Sequence, residues 1–117
     1  MKVKVINNTS YDIYEEILCY HDITINNEYL VISIEYEYYR IINENAEPCL
    51  YEQRLFEITD SSIPLDWIRE EKGDNDYCFS PLEFVKEKYF FERYFDREPK
   101  ILEIFNKYIN ELKKYEH

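Results

Sequence analysis

The chain has 117 residues, of which 45% are hydrophobic and 18% aromatic, and its formal net charge is −11. This composition excludes an intrinsically disordered chain, and no apolar run approaches the ~20 residues that a membrane-spanning helix needs. The length suits one domain with its own hydrophobic core, so we expect residues 1–117 to form a single domain.

Two strands, separated by the turn cluster Asn7-Asn8-Thr9-Ser10, are predicted before Asn26. Lys2–Ile6 alternates basic and apolar residues, which is typical of a short strand with its lysines facing outward. Tyr11–Ile25 also reads as a strand, although its first residues could instead form a helical turn capped by Ser10. Asn26-Asn27 then predicts a two-residue hairpin turn, because asparagine tolerates the left-handed backbone that tight turns need.

The stretch Glu28–Ile42 (EYLVISIEYEYYRII) is predicted to be the central strand. Its β-branched and aromatic residues alternate with a period of two, as expected of a strand with a core face and a wet face. The core face holds Leu30, Ile32, Ile34, Tyr36 and Tyr38. The mixed face holds Tyr29, Val31, Ser33, Glu35, Glu37 and Tyr39.

The predicted hairpin implies a register between these two strands. Counting back from the turn, Ile23 opposes Leu30 on the core face. On the mixed face the register opposes Glu16 to Glu37 and Tyr14 to Tyr39.

A fourth strand is predicted at Cys49–Ile58, after a polar loop that closes at Pro48. A break in its alternation suggests a β-bulge. Beyond it, Trp67 is expected to plug the edge of the core. Arg69–Asp76 (REEKGDND) is expected to be a solvated loop, and its acids lack the ordered ligand spacing of a calcium loop.

The C-terminal part is predicted to be helical. Ser80, Pro81 and Glu83 match a capping box with proline at the first helical position. The predicted fold is α+β: an antiparallel β-meander of about four strands (residues 2–58), followed by two C-terminal helices (about 81–95 and 99–115) packed on one face.

No catalytic motif stands out. His21 and Cys19 share the predicted core face and are expected to be structural, and Asp60-Ser61-Ser62 matches an ordinary turn. The single glycine, Gly73, excludes a glycine-rich phosphate loop. We therefore expect no enzyme, no cofactor and no metal.

Two features favour a cytoplasmic location. The three cysteines are an odd number without metal-ligand spacing, which is typical of a reducing compartment. The opening MKVKVINN is short and soon polar, unlike a secretory signal.

The acidic surplus is unevenly placed. Met1–Val85 has 18 acidic and 6 basic residues, a formal charge of −12, whereas Lys86–His117 has a charge of +1. Such a field repels nucleic acid and membrane phosphates and attracts basic surfaces, although it could also serve solubility alone. Partner binding is predicted for tyrosines and acids of this region: Tyr14, Glu16, Tyr20, Glu35, Glu37, Tyr39, Glu70, Glu71, Asp74 and Asp76.

The segments IPLDW, DYCFSPLEF and YFFERYFD, with the amphipathic helix after them, resemble the C-terminal half of small immunity-type proteins of Gram-positive bacterial toxin systems. The resemblance covers roughly Ile63–Leu112. It implies a cytoplasmic, non-enzymatic antidote that binds a cognate toxin, and it carries no functional residues with it.

Two alternatives remain open. The chain could be a nucleic-acid mimic that inhibits a nuclease or defence system, although its acids are interleaved with large apolar groups rather than set in rows. It could also be a small ligand-binding domain or enzyme without a recognisable motif.

Overall fold

The computed structural model describes residues 1–11, 14–74 and 76–114. Three predicted elements extend beyond these ranges: the strand Tyr11–Ile25 at residues 12 and 13, the loop Arg69–Asp76 at residue 75, and the last helix at residue 115. The class is α+β, as predicted, with an antiparallel sheet followed by C-terminal helices.

Contacts divide the chain into two compact units, Met1–Ser80 (the sheet unit) and Pro81–His117 (the helical unit). The prediction of a single domain stays a prediction.

Nine strands lie in the described residues, rather than about four. They are β1 (Lys2–Val5), β2 (Thr9–Tyr11), β3 (Ile17–Cys19), β4 (Glu28–Glu35), β5 (Tyr38–Ile42), β6 (Pro48–Glu52), β7 (Phe56–Asp60), β8 (Trp67–Glu71) and β9 (Tyr77–Pro81). The main sheet has the order β6-β5-β4-β1-β7, and β9 pairs with both β4 and β8, while β2 and β3 form a separate hairpin. The sheet is therefore not a simple meander, because β1 lies between β4 and β7.

The predicted central strand Glu28–Ile42 is in fact two strands. β4 and β5 are joined by a tight turn at Tyr36-Glu37, with Glu35 opposite Tyr38. β4 pairs with β1, β5 and β9 and is thus the centre of the sheet. The prediction of a wet face was wrong, because β4 is buried on both parities from Val31 to Ile34.

The predicted hairpin at Asn26-Asn27 was also wrong. The chain does turn there, with Asn26 at φ 72°, but the next strand pairs with β1 and not with Tyr11–Ile25. The Asn26 N–H donates to the Val5 carbonyl at 2.8 Å. Pairing of β4 with β1 is favoured because Val3 and Val5 of β1 are completely buried in the core.

The register built on that hairpin fails with it. Glu37 lies in the β4–β5 turn and Glu16 precedes β3, so the two do not oppose each other on paired strands, and neither do Tyr14 and Tyr39. His21 and Cys19, which the register placed in the core, are both exposed. Ser10 lies in β2, which rules out a helix cap at that residue.

The stretch Cys49–Ile58 is interrupted by a 3₁₀ turn (Gln53–Leu55) and not by a bulge. The turn carries Leu55 into the core, where it is completely buried. Trp67 is 6% exposed and its ring meets Phe79 edge-on at 5.6 Å, which confirms its predicted place in the core. The predicted loop Arg69–Asp76 instead begins in β8, which forms a pair with β9.

The helical unit contains α1 (Leu82–Val85), α2 (Phe90–Phe95) and α3 (Pro99–Lys113). The helix predicted at about 81–95 is broken, because Tyr89 has a left-handed backbone at φ 59°. The break lets the rings of Phe84 and Phe90 stack at 4.2 Å. On a continuous helix, residues six apart point to different faces.

The capping box was wrong as well. Ser80 belongs to β9, and no side chain caps α1, whose N-cap residue is Pro81. The last helix was predicted correctly. Pro99 stands in its first turn, and Ile101, Phe105 and Tyr108 are buried on one face.

Candidate functional site

The acidic surplus belongs to the sheet unit. Residues 1–80 contain 17 acidic and 6 basic side chains, a formal charge of −11, whereas residues 81–117 contain 8 of each. The two units therefore present different fields to a charged partner.

Every basic residue of the sheet unit contacts an acid of the same unit. The pairs are Lys2–Glu28 (3.9 Å), Lys4–Glu57 (2.8 Å), Arg40–Glu35 (2.6 Å), Arg54–Glu52 (2.6 Å), Arg69–Glu71 (2.8 Å) and Lys72–Glu70 (3.6 Å). The cations of this unit are already engaged. The remaining acids carry its surplus charge.

The β4–β5 turn brings tyrosines and an acid together on the surface. Tyr36 and Tyr38 are 45% and 42% exposed, and Glu37 between them is exposed. The turn is held on two sides: the Tyr36 N–H donates to the Tyr77 carbonyl, and the Gln53 N–H donates to the Glu37 carbonyl, both at 3.0 Å. Gln53 Nε2 also donates to the Tyr36 carbonyl at 3.2 Å. We call Tyr36, Glu37, Tyr38 and Gln53 the tyrosine-turn surface.

A depression of about 290 Å³ lies beside this turn, lined by Glu37, Tyr38, Glu52, Gln53 and Arg54. Glu52 is engaged there, since it accepts hydrogen bonds from Ser10 Oγ and Arg54 Nε, each at 2.6 Å. The Ser10 hydroxyl and then Arg54 hold the pKa of Glu52 below its usual range. No ion pair of the described residues involves Glu37, so its carboxylate supplies the uncompensated charge of the depression.

The β1–β6 residues predicted to bind a partner are not all available for it. Tyr14 (77% exposed), Glu16 and Glu37 lie on the surface. Tyr39 is only 7% exposed and packs edge-on against Phe56 at 5.9 Å, so its ring belongs to the core. Tyr20 is half-buried against Tyr51 at 5.2 Å.

Glu35 is structural. Both of its oxygens accept from Arg40, at 2.6 and 3.0 Å, and Ser33 Oγ donates to it at 2.7 Å. Arg40 Nη1 also donates to the Pro48 carbonyl at 2.9 Å. Ser33 and Arg40 are buried, so this network fixes β4 against β5 and leaves Glu35 little capacity for a partner.

The acids at the β8–β9 end remain on or near the surface. Glu71 and Glu70 pair with Arg69 and Lys72, as given above, while Asp74 and Asp76 are exposed. None of these acids lines the depression beside the tyrosine-turn surface.

A second polar cluster lies around the loop between β5 and β6. The buried Asn43 donates to Tyr51 Oη at 3.1 Å and to Asp22 Oδ2 at 3.3 Å, and Asp22 Oδ1 is buried without a hydrogen-bond partner among the described residues. Burial raises the pKa of the Cys49 thiol, and the nearby Asp22 carboxylate adds to this. Glu44 accepts from Thr24 Oγ1 and Tyr29 Oη, and these bonds lower its pKa.

Other candidates from the sequence have ordinary roles. Asp60 accepts hydrogen bonds from the backbone and hydroxyl of Ser62, which lower its pKa, as in a common turn. Cys19, Cys49 and Cys78 are free thiols. In the described part of the chain, no group of His, Cys, Asp and Glu is arranged to hold a metal ion. None of the described helices has the length and apolar character to cross a membrane.

Sequence reasoning identified Glu37 but missed its neighbours. Tyr36 and Tyr38 were placed on the core face, and Gln53 was not considered. The available signal was the spacing of one acid between two tyrosines directly after the eight strand-forming residues Glu28–Glu35, since eight residues already make a full strand. Comparison with models of known protein families, with curated proteins and with solved structures finds no match.

Proposed function

We propose that the chain is a non-enzymatic binding protein whose sheet unit recognises a basic protein surface through the tyrosine-turn surface. The observation that carries this is the engagement of all six lysine and arginine side chains of the sheet unit by its own acids. An exposed carboxylate, Glu37, is thus left beside two half-exposed tyrosines. A partner's arginine or lysine would supply the missing charge.

Tyrosine suits this role physically. Its rigid ring offers a large contact area at low entropic cost, and protein interfaces are enriched in tyrosine and arginine. The face of its ring also attracts cations. A partner arginine placed over Tyr38 could pair with Glu37 at the same time.

The depression favours a side chain over a small-molecule ligand. Its volume of about 290 Å³ is at the lower end of the roughly 300–1,000 Å³ of typical ligand pockets. Four of its five lining residues, Glu37, Glu52, Gln53 and Arg54, are charged or polar, whereas the residues that line ligand pockets are predominantly hydrophobic and aromatic. This supports the binding-protein proposal over the ligand-binding alternative.

The resemblance to immunity-type proteins supplies the biological role that we propose: neutralisation of a cognate toxin in the cytoplasm. The exposed free thiol of Cys19 is compatible with a reducing compartment. The high negative field would speed the encounter with a basic toxin domain.

The test is to express the chain in cells that also express a candidate toxin and to measure their protection, together with binding titrations against that toxin at two salt concentrations. We expect Glu37→Lys with Tyr38→Ala to weaken binding about 100-fold and to abolish protection, since the two changes remove the carboxylate and one of the two rings of the surface. The control is Glu111→Lys with Tyr89→Ala, which makes the same changes at exposed residues of the helical unit.

Equal losses in the two double variants would mean that only overall charge matters, and the proposed surface would be wrong. Undiminished protection by the first variant would also contradict it. Binding of duplex DNA-processing enzymes in place of a toxin would support the nucleic-acid-mimic alternative.

A further inference from the structure

The outer edge of β7 is open. In the described part of the chain β7 pairs with β1 alone, and four of its five residues, Glu57–Asp60, are exposed. The other end of the main sheet differs, because Ser10 of the β2–β3 hairpin bonds to Glu52 of β6 and Tyr20 packs on Tyr51. An open strand edge presents N–H and C=O groups with which another extended chain can pair.

One face of this edge has an alternating row of charges. Lys4 of β1 is the cross-strand partner of Glu28 in β4 and of Glu57 in β7. Its Nζ lies 2.8 Å from Glu57 Oε1. The row therefore runs acid, base, acid and ends with an acid at the open edge. Opposite charges that face each other across paired strands stabilise the pairing. A strand added at the open edge would therefore pair best with a basic residue opposite Glu57.

The other face of β7 continues the core. Val3 is completely buried, but its cross-strand partner Ile58 is 52% exposed. The apolar face of the sheet is therefore buried at β1 but partly exposed at β7. An apolar side chain on an added strand would cover Ile58 and remove apolar surface from water.

We propose that β7 binds an extended segment, with Lys or Arg alternating with apolar residues, as an added strand. The chain contains one example of this chemistry: β1 itself, Lys-Val-Lys-Val, pairs with the inner edge of β7. A second copy of the chain is a poor occupant, because two β7 strands would oppose their own acids, Glu57 and Asp60. The inference deepens the proposed function, on which it rests for a basic partner, and it assigns a second contact on the sheet unit.

The probe is a fluorescent peptide of alternating lysine and valine, about six residues long, the usual length of a strand. Binding is measured by anisotropy, and amide exchange locates the site. We expect slower exchange in β7. A peptide with glutamate in place of lysine, and one with its lysines and valines in separate blocks, should not bind.

The decisive variant is Ile58→Lys, since a charge pointing inward from an edge strand blocks strand addition. It should weaken peptide binding by about tenfold or more. Leu65→Lys is the matched control: Leu65 is fully exposed outside β7, and its substitution changes the net charge equally. It should bind as the wild type does.

Each other outcome overturns the inference. No peptide binding, equal loss in both variants, or equal binding of the block peptide would remove the strand-addition mechanism. Light scattering that shows a dimer dissociated by Ile58→Lys would identify the occupant as a second copy. Glu37→Lys separates the two proposals, because it should weaken toxin binding and leave peptide binding intact. If Glu37→Lys weakens toxin binding but the peptide does not bind even to the wild type, only the strand-addition inference is contradicted.

Discussion

The sheet unit and the helical unit use charge in different ways. The sheet unit carries a formal charge of −11, and each of its basic residues contacts one of its own acids. The helical unit has as many basic as acidic residues. Its Arg93, in α2, forms ion pairs with Glu87 before that helix and with Glu98 after it. A charge that served only solubility would have no reason to be confined to one unit. The difference therefore favours a binding role for the sheet unit.

The units also differ inside. The helical core is a cluster of aromatic rings in which Phe84 stacks on Phe90 and meets Tyr108 edge-on at 5.0 Å. The sheet unit buries an ion pair, Arg40–Glu35, together with Ser33. A buried ion pair is a weak source of net stability, but the loss of one partner is costly. The sheet unit should therefore be the more sensitive of the two to changes of single charges.

The largest expected effect tests that contrast. Arg40→Ala should destabilise the protein by about 3–5 kcal/mol, because it leaves the carboxylate of Glu35 without its cation in a mostly buried place. Arg93→Ala, the matched change in the helical unit, should cost much less, since the Arg93 side chain is 27% exposed against 10% for Arg40. Urea denaturation of both variants measures the difference. Similar losses of unfolding free energy in the two variants would contradict the difference between the units. If the unpaired buried carboxylate is the cause, the double variant Arg40→Met with Glu35→Leu should recover most of the stability that Arg40→Ala loses.

The parts of the fold that the sequence predicted correctly depend on local patterns. The class, β1, α3 and the burial of Trp67 follow from alternation, helical periodicity and the bulk of one side chain. The hairpins do not, since the turn at Tyr36-Glu37 has no asparagine or glycine. It is held by hydrogen bonds that Gln53 donates and that the Tyr77 carbonyl accepts, and both residues are distant in sequence. The stronger local signal, Asn26-Asn27, does form a turn but leads to a different partner strand.

The same reason limits the site. The acidic field and Glu37 could be predicted from composition and alternation. Because β4 and β5 were predicted as one long strand, the tyrosines were assigned to the wrong faces. Tyr39 was expected outside and is buried, while Tyr36 and Tyr38 were expected inside and are half-exposed. A register error moves every side chain of a strand to the other face.

The second prediction concerns alkaline pH and the buried tyrosines of the sheet unit. Burial raises the pKa of Tyr51, and it is also the main cause of the raised pKa of Tyr29 and Tyr39. In the unfolded chain tyrosine ionises near pH ~10, whereas the folded protein keeps these three tyrosines neutral to higher pH. The stability of the folded protein is therefore unaffected below that pH and falls as the pH rises above it. Tyr51→Phe should cost about 1 kcal/mol near neutral pH, through the lost bond from Asn43, and should lose less than the wild type between neutral pH and about pH 11. Denaturation at both pH values checks this, and parallel losses in the two proteins would contradict it.

The smallest effect separates strain from function. Tyr36 in the sheet unit and Tyr89 in the helical unit are both exposed tyrosines with left-handed backbones, at φ 58° and 59°. This conformation costs an L-residue roughly 1–2 kcal/mol, and glycine adopts it freely at an entropic cost of about 0.5–1 kcal/mol. Tyr36→Gly and Tyr89→Gly should therefore each leave stability unchanged or raise it by up to about 1.5 kcal/mol.

Binding should divide the two variants. Tyr36→Gly removes a ring of the tyrosine-turn surface and should weaken binding of the basic partner, whereas Tyr89→Gly should leave it unchanged. Tyr36→Phe keeps the ring and should bind nearly as well as the wild type, which separates contact area from the hydroxyl. Denaturation midpoints and titrations of the three variants are sufficient for the test. A stable Tyr36→Gly variant with full affinity would show that the strained tyrosine has no part in recognition, and the search for the contact would pass to the edge of β7.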